Sequence, residues 1–290
     1  MKTLLIDAMN IFIRSYVVNP TMSEHGHQFG GALGFLKSIG SYSRRFNPDQ
    51  IIVIWEGGGS PRRKALLPEY KAGRKPIRLN RSEIYEDIPD TPENFNYQVA
   101  AATKLISYTP IKQMYVSDCE ADDIIATYVE LALERNWETT IISSDKDLMQ
   151  LVSKSTIMWD TMKNKKIGEQ EVFEKFGVYP PSVIDVQALA GDSIDNIPGA
   201  SGIGIKTASL LINQFGSLNT LLKKAYEIKQ PKRREVLINE RDKILISKDL
   251  VTLKKDVPLK EHLENLNISS FNPVSLLSFT KKMEFRTLSE

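Results

Sequence analysis

The sequence has one cysteine, Cys119, and three histidines, His25, His27 and His262. A single cysteine excludes an intrachain disulfide and argues for a reducing compartment. None of these four residues falls within the acidic motifs described below. Zinc-type ligand sets and covalent catalysis by His or Cys therefore have no foothold, and His25 and His27 read as loop surface. Long apolar runs are also missing. No stretch approaches the roughly 18–20 residues that cross a bilayer, and Asp7 cuts short the signal-like start at Leu4-Leu5-Ile6. The expectation is a cytoplasmic protein with no membrane association.

Net charge is nearly absent, at +2 from 38 basic and 36 acidic residues, but the charges are segregated. Between residues 62 and 81 stand Arg62, Arg63, Lys64, Lys71, Arg74, Lys75, Arg78 and Arg81, with Glu69 as the single acid among them. Elsewhere carboxylates come in tight groups. Acid concentrated in one place and base in another suits a metal site that serves a polyanion.

Short apolar runs at Thr3–Ile6 and Ile51–Trp55 end at Asp7 and Glu56 and read as buried strands. Gly30–Phe46 has helical spacing. A helix near Pro92–Tyr108, a strand at Ile111–Val116, a helix at Glu120–Arg135 and strands at Thr139–Ser143 and Thr156–Asp160 continue the alternation. This rhythm predicts an α/β fold with a parallel sheet, whose functional groups gather beyond the carboxyl ends of the strands. Residues 57–91, Gly-rich, then basic, then Pro-punctuated, form an insertion of the kind that carries function. Strand signals fade after about residue 170. The division expected is an α/β core at 1–180 and a helical region at 181–290.

Nine acids stand out: Asp7, Glu56, Glu120, Asp122, Asp123, Asp145, Asp147, Asp192 and Asp195. Any one alone would be read as a helix cap or a solvated charge, as Asp118 is before the 120–135 helix. Together they fall where a sheet would collect them. Glu120 and Asp123, and Asp192 and Asp195 if helical, are spaced to share a helix face. Carboxylates forced together repel unless cations fill the gap. An oxygen-only donor set favours hard ions such as Mg²⁺ or Mn²⁺, and paired ions of this kind support phosphodiester hydrolysis.

Ile6-Asp7-Ala8-Met9-Asn10, Glu120-Ala121-Asp122-Asp123, Ser144-Asp145-Lys146-Asp147-Leu148, Gly191-Asp192-Ser193-Ile194-Asp195-Asn196-Ile197-Pro198-Gly199 and Gly202-Ile203-Gly204-Ile205-Lys206-Thr207-Ala208 follow one another in this order. The series resembles the 5′-nuclease superfamily of phage 5′→3′ exonucleases, flap endonucleases and the N-terminal nuclease domain of bacterial repair DNA polymerases. The resemblance runs from residue 4 to about 215 and implies a PIN-like, Rossmann-like core. It implies two Mg²⁺ ions, replaceable by Mn²⁺, one among Asp7, Glu56, Glu120 and Asp122 and one among Asp145, Asp147, Asp192 and Asp195. Asp122 would stand between them and Asp123 outside. Glu56 departs from the Asp usual at that position.

The basic insertion resembles the family's helical arch through Glu69-Tyr70-Lys71-Ala72-Gly73-Arg74. The resemblance implies that Lys71 and Arg74 meet the scissile phosphate, that Arg63 belongs to the same arch, and that Tyr70 stacks on an end base. Arg14 is a further phosphate candidate. Residues 198–206 read as a tight Gly turn opening a helix, whose N–H groups suit phosphate, with Gly202, Gly204 and Lys206 at the contact. The segment imitates a P-loop, but Ile205 intervenes before Lys206 and no strand precedes it. A helix–hairpin–helix grip on duplex DNA fits better, and the family version holds a K⁺ ion.

The expected activity is metal-dependent cleavage of DNA near 5′ ends, flaps or nicks, in replication or repair, including RNA–DNA hybrids at primers. The expected protein is a monomer in a bacterial cell or phage-infected host, with a replication partner met through the region after residue 255. With no polymerase region in the sequence, a stand-alone protein is expected. Two other readings remain: a DNA-binding relative without catalysis, and a metal-dependent ribonuclease.

Overall fold

The computed structural model describes residues 1–23, 26–74, 77–80, 90–259, 263–266 and 273–282. His25, Lys75, Arg81 and His262 lie outside the described residues, as do residues 75–76 and 81–89 of the arch expected at 57–91.

Among the described residues six strands form one sheet: β1 Lys2–Asp7, β2 Gln50–Ile54, β3 Lys112–Met114, β4 Glu138–Ile142, β5 Thr156–Asp160 and β6 Lys165–Ile167. Their spatial order is β3-β2-β1-β4-β5-β6. The first five run parallel, and β6 pairs antiparallel with β5. The helices that accompany them are α1 Ala8–Val18, α2 Gly30–Phe46, α3 Pro61–Leu66, α4 Pro92–Ile106, α5 Ala121–Glu134, α6 Glu169–Phe176, α7 Val183–Ala190, α8 Ile205–Phe215, α9 Leu218–Lys223, α10 Pro231–Asn239, α11 Arg241–Val251 and α12 Pro273–Lys282.

The central strands are apolar on both sides because helices cover both faces. Leu4, Ile6, Ile51 and Val53 pack with Phe12 and Ile39 of α1 and α2 and with Ala102 and Leu105 of α4. Leu5, Ile52 and Ile141 face the other way, onto Ile124, Ile125 and Tyr128 of α5. The alternation within each strand is the period of two that a pleated strand imposes. Val186, Leu189, Leu211 and Leu250 of the helical region join the same apolar cluster as α5, which seats that region against the core.

Strands 1, 2 and 5 fall where the apolar runs place them. The third is shorter than expected, ending at Met114 before the exposed Tyr115. β6 and α1 carry weaker signals, and α3 is hidden in the basic stretch. Asp118 is not a cap: it sits in a loop at φ 60°, and Glu120 occupies the N-cap position of α5. The glycines after β2 have a packing reason as well as a conformational one. A Cβ on Gly57 would lie 1.7 Å from the Val116 carbonyl oxygen, so only glycine lets the β2 exit run against the loop before α5. That approach is fixed by Gly57 N–H donating to Cys119 and Asp118 N–H donating to Gly57.

Candidate metal centre

Because β1 and β4 are adjacent and parallel, their carboxyl ends deliver Asp7 and the 143–147 loop to one place. Asp7 is buried, caps α1 by accepting from Asn10 N–H at 3.1 Å, and accepts from Ser143 Oγ at 2.8 Å. Ser143 Oγ in turn accepts from Asp145 N–H at 3.0 Å, and Asp145 Oδ1 from Asp147 N–H at 2.9 Å. The Ser143 hydroxyl and the Asn10 and Asp147 backbone amides thus set the orientation of two carboxylates, Asp7 and Asp145. Asn10 ties the same loop to α1, its Oδ1 accepting from Ser144 N–H and from the Ser144 and Thr161 hydroxyls.

One carboxylate oxygen each from Asp147, Asp192 and Asp195 lies within 4.8 Å of the others. Asp192 and Asp195 are not on a helix, as their spacing suggested. They sit in a turn closed by paired hydrogen bonds between Asp192 and Ile197. Gly191 and Gly199 stand back to back beneath the turn, both at positive φ, each where a Cβ would strike the other's backbone. The close approach of the two glycines does what a helical face was expected to do.

Crowding leaves an electrostatic signature. Burial, reinforced by the charges of Asp145 and Glu56, pushes Asp7 up to about 7. Burial and the Asp145 charge do the same to Asp147, also to about 7. Asp122, half-buried at the start of α5, is raised well above the carboxylate range by burial and by Asp145 and Asp7. Asp145 therefore acts on both halves of the pocket. Asp192 goes the other way: burial opposes it, but Lys146 at 2.7 Å holds it low. Glu56 stays at the exposed rim and accepts from Ala121 N–H at 3.3 Å.

Asp123 turns away from this cluster, and Glu120 stands at its rim. Arg63, 1% exposed, places Nη1 at 2.8 Å from Glu120 and 2.7 Å from Asp123. Its remaining donors go to the Leu250 and Thr252 carbonyls. The structure thus removes Arg63 from any phosphate path and makes it a buried link between α3, α5 and the end of α11. Tyr70 is likewise buried, its hydroxyl donating to Glu120 at 3.1 Å, so it offers no face for stacking. Asp123, satisfied by Arg63 and by Lys254 N–H, is not in the pocket.

Lys71 and Arg74 do reach it. Lys71 adopts φ 58°, a conformation a long L side chain rarely takes, and its N–H donates to the Asp195 carbonyl at 3.0 Å. Its Nζ lies 2.8 Å from Glu120 Oε1. Arg74 Nη2 lies 2.8 Å from Asp195 Oδ1. Asn196 Nδ2 donates to the Glu69 carbonyl, so residues 69–74 and 192–196 are tied together at several points.

At the hairpin, a Cβ on Gly202 or Gly204 would meet no atom within 4 Å, so this backbone is open to a ligand, and Lys206 is exposed beside it. Arg14 is exposed on α1 and donates to the Thr161 carbonyl. Two contributors carry no sequence signal as site residues. Ser143 orients Asp7, and Gln187 of α7 donates to Asp147 Oδ1 at 2.5 Å. The donor set is all carboxylate, without His or Cys, which fits a hard divalent ion.

The family described as 5′-3′ exonuclease, N-terminal resolvase-like domain, matches residues 2–177, and its companion, 5′-3′ exonuclease, C-terminal SAM fold, matches residues 178–274. The chain belongs to the 5′-3′ exonuclease family. The chain is 40% identical over 293 residues to DNA polymerase I of Rhizobium leguminosarum, covering 98% of this chain but 28% of the polymerase. It is 27% identical to a 5′-3′ exonuclease of Aquifex aeolicus, covering 99% of this chain and 94% of that protein. The chain thus spans less than a third of the Rhizobium polymerase.

Among solved structures, the bacteriophage T5 D15 flap endonuclease in complex with DNA and metal ions superposes with a TM-score of 0.72 at 21% identity, covering 87% of this chain and 89% of that one. The catalytic core of Rad2 with DNA substrate superposes at 0.59 and 15% identity, covering 97% and 86%. These likenesses establish the shared fold. Among the described residues no helix is long and apolar enough to cross a membrane.

Proposed function

We propose that this exonuclease-family chain hydrolyses DNA phosphodiesters near free 5′ ends, flaps or nicks, using two divalent ions, Mg²⁺ with Mn²⁺ able to replace it. The observation that carries the reading is convergence. Lys71 and Arg74 of the basic insertion meet Glu120 and Asp195 at the edge of the pocket that holds Asp7, Asp145, Asp147 and Asp192. Cations and carboxylates so placed match a phosphate that must approach a negatively charged site.

Asp7, Glu56 and Asp122 would hold one ion, and Asp147, Asp192 and Asp195 the other, with Asp145 between. Glu120 serves from the side by holding Lys71. When bound, the ions supply an activated water and neutralise the phosphodiester's developing charge. The chain's own residues do the rest. Ser143 and Gln187 fix the carboxylates, and Lys71 and Arg74 draw in the phosphate. The open backbone at Gly202 and Gly204, with Lys206, grips the duplex without reading sequence, with a K⁺ ion at the turn. The T5 structure, solved with DNA and metal ions, and the Rad2 structure, solved with DNA substrate, support DNA as the substrate of this shared fold. The protein works as a monomer in the cytoplasm during replication or repair, and RNA–DNA hybrids are within its range.

The test compares cleavage of a 5′-flap duplex, a nicked duplex, single-stranded RNA and an RNA–DNA hybrid, each with Mg²⁺ and with chelator. Metal-dependent cutting of flap and nick bears the reading out. Binding without cutting, or cutting of RNA alone, overturns it.

A further inference from the structure

Beside the metal pocket, α1, the carboxyl-terminal half of α2 and the β5–β6 turn border an open cavity of about 420 Å³. Its wall includes Arg14, Arg45, Tyr42, Ser41 and Asn164, and no carboxylate. That composition is unusual for this chain, where most well-placed cations near the centre are neutralised: Arg63, Lys71, Arg74 and Lys146 all sit on acids. Among the described residues, Arg14 and Arg45 have no carboxylate partner. Arg14 is oriented by the Thr161 carbonyl, and Arg45 lies over the Trp159 ring, 3.7 Å from its centroid. Stacking of this kind pre-orients a guanidinium while leaving its edge donors available.

The phenol of Tyr42 feels both guanidinia: burial raises its pKa, and the charges of Arg14 and Arg45 pull it back. The two cations therefore face the same space, from α1 and from the last turn of α2. Two guanidinia without acids, hydroxyls and an amide around a cavity of this size are the donors that a phosphate ester requires.

We propose that this cavity is a second anion site, binding a phosphoryl group carried on a nucleotide through Arg14 and Arg45. Its position fits a role beside the metal centre. Arg14 lies two turns along α1 from Asp7, and Thr161 joins Arg14 to Asn10 and so to Ser144. Two sources carry the same chemistry: a phosphate of the substrate strand away from the scissile bond, and a released 5′-mononucleotide. The first source rests on the nuclease reading. The site itself does not.

The experiment measures binding in chelator, where no cleavage occurs. Inorganic phosphate, deoxyribose 5-phosphate and a 5′-flap duplex are titrated separately, with tryptophan fluorescence reporting through Trp159 and calorimetry giving affinity. Arg45→Ala should weaken the responding ligand about ten-fold, as expected for loss of a charge-assisted contact, and remove the fluorescence response. Arg45→Lys should retain most of the affinity. Ser41→Glu, an exposed helix position that leaves the core untouched, should weaken binding as strongly by placing a carboxylate in the cavity. Small phosphates that bind and are lost in these variants identify the mononucleotide source. Loss confined to the duplex identifies the strand phosphate. If no ligand's affinity changes in Arg45→Ala or Ser41→Glu, the site does not exist. Cleavage by the unmodified protein with Mg²⁺ is scored apart, so failure of the nuclease reading is not mistaken for failure of this one.

Discussion

Lys71 Nζ lies 2.8 Å from Glu120 Oε1 and 4.0 Å from Asp195 Oδ2, so the cation of the basic insertion rests on the rim of the carboxylate pocket. Burial works against its charge and Glu120 restores it, which keeps the ammonium protonated. A phosphate arriving at the pocket meets a charge already aimed. Lys71→Ala should therefore lower the single-turnover cleavage rate about 10²-fold, the scale of losing one oriented charge contact. Duplex binding, measured with Ca²⁺, should fall only a few-fold. Equal losses in both would reduce Lys71 to general attraction.

Asp145 and Asp147 make a sharper case. Asp145 raises the pKa of both Asp7 and Asp147, so it stands electrostatically at the centre of the cluster. Asp145→Ala with Asp147→Ala should abolish cleavage and leave flap-DNA affinity within a few-fold, because removing negative charge does not weaken attraction to a polyanion. Residual turnover comparable to the unmodified protein would remove these two residues from the metal assignment.

The raised carboxylates also make stability depend on pH. Asp7 and Asp147 titrate at about 7 in the folded protein and near 3.8 when unfolded. Between those values the unfolded chain has released protons that the folded chain still holds. Without metal, stability should fall as pH rises from 4 towards 7 and level off above. A divalent ion relieves the repulsion. Its effect on the melting temperature should thus be larger at pH 8 than at pH 5. Thermal denaturation with Mg²⁺ and with chelator at the two pH values checks this, and a larger gain at pH 5 would contradict it.

Much of this arrangement is legible in the amino-acid order. Apolar runs ending in acid place Asp7 and Glu56 at strand ends, because a buried parallel strand has to be apolar until it exits the sheet. The motif order around 120, 145 and 192 carries the rest of the carboxylates. What sequence does not resolve is which charges cancel. Arg63 reads as one more member of a basic run, yet it is the most deeply placed of them among the described residues, because α3 packs where α5 and the end of α11 offer two acids and two carbonyls. Nothing local announces that. Gln187 is invisible for the same reason, since its partner is 40 residues away.

Arg63 gives a stability prediction. With 1% exposure and two carboxylate partners, its removal would strand Glu120 and Asp123 without compensation. Arg63→Ala should cost about 3–5 kcal/mol, read by urea denaturation. A loss below about 1 kcal/mol would mean that water reaches the junction and solvates the acids.

The glycine pair beneath Asp192 and the strand ends beneath Asp7 and Asp145 draw the pocket from points far apart along the polypeptide. While it is being synthesised the protein has no complete set of acids until Asp195 has left the ribosome. A translation product interrupted before that point carries Asp7, Asp122 and Asp145 without their partners.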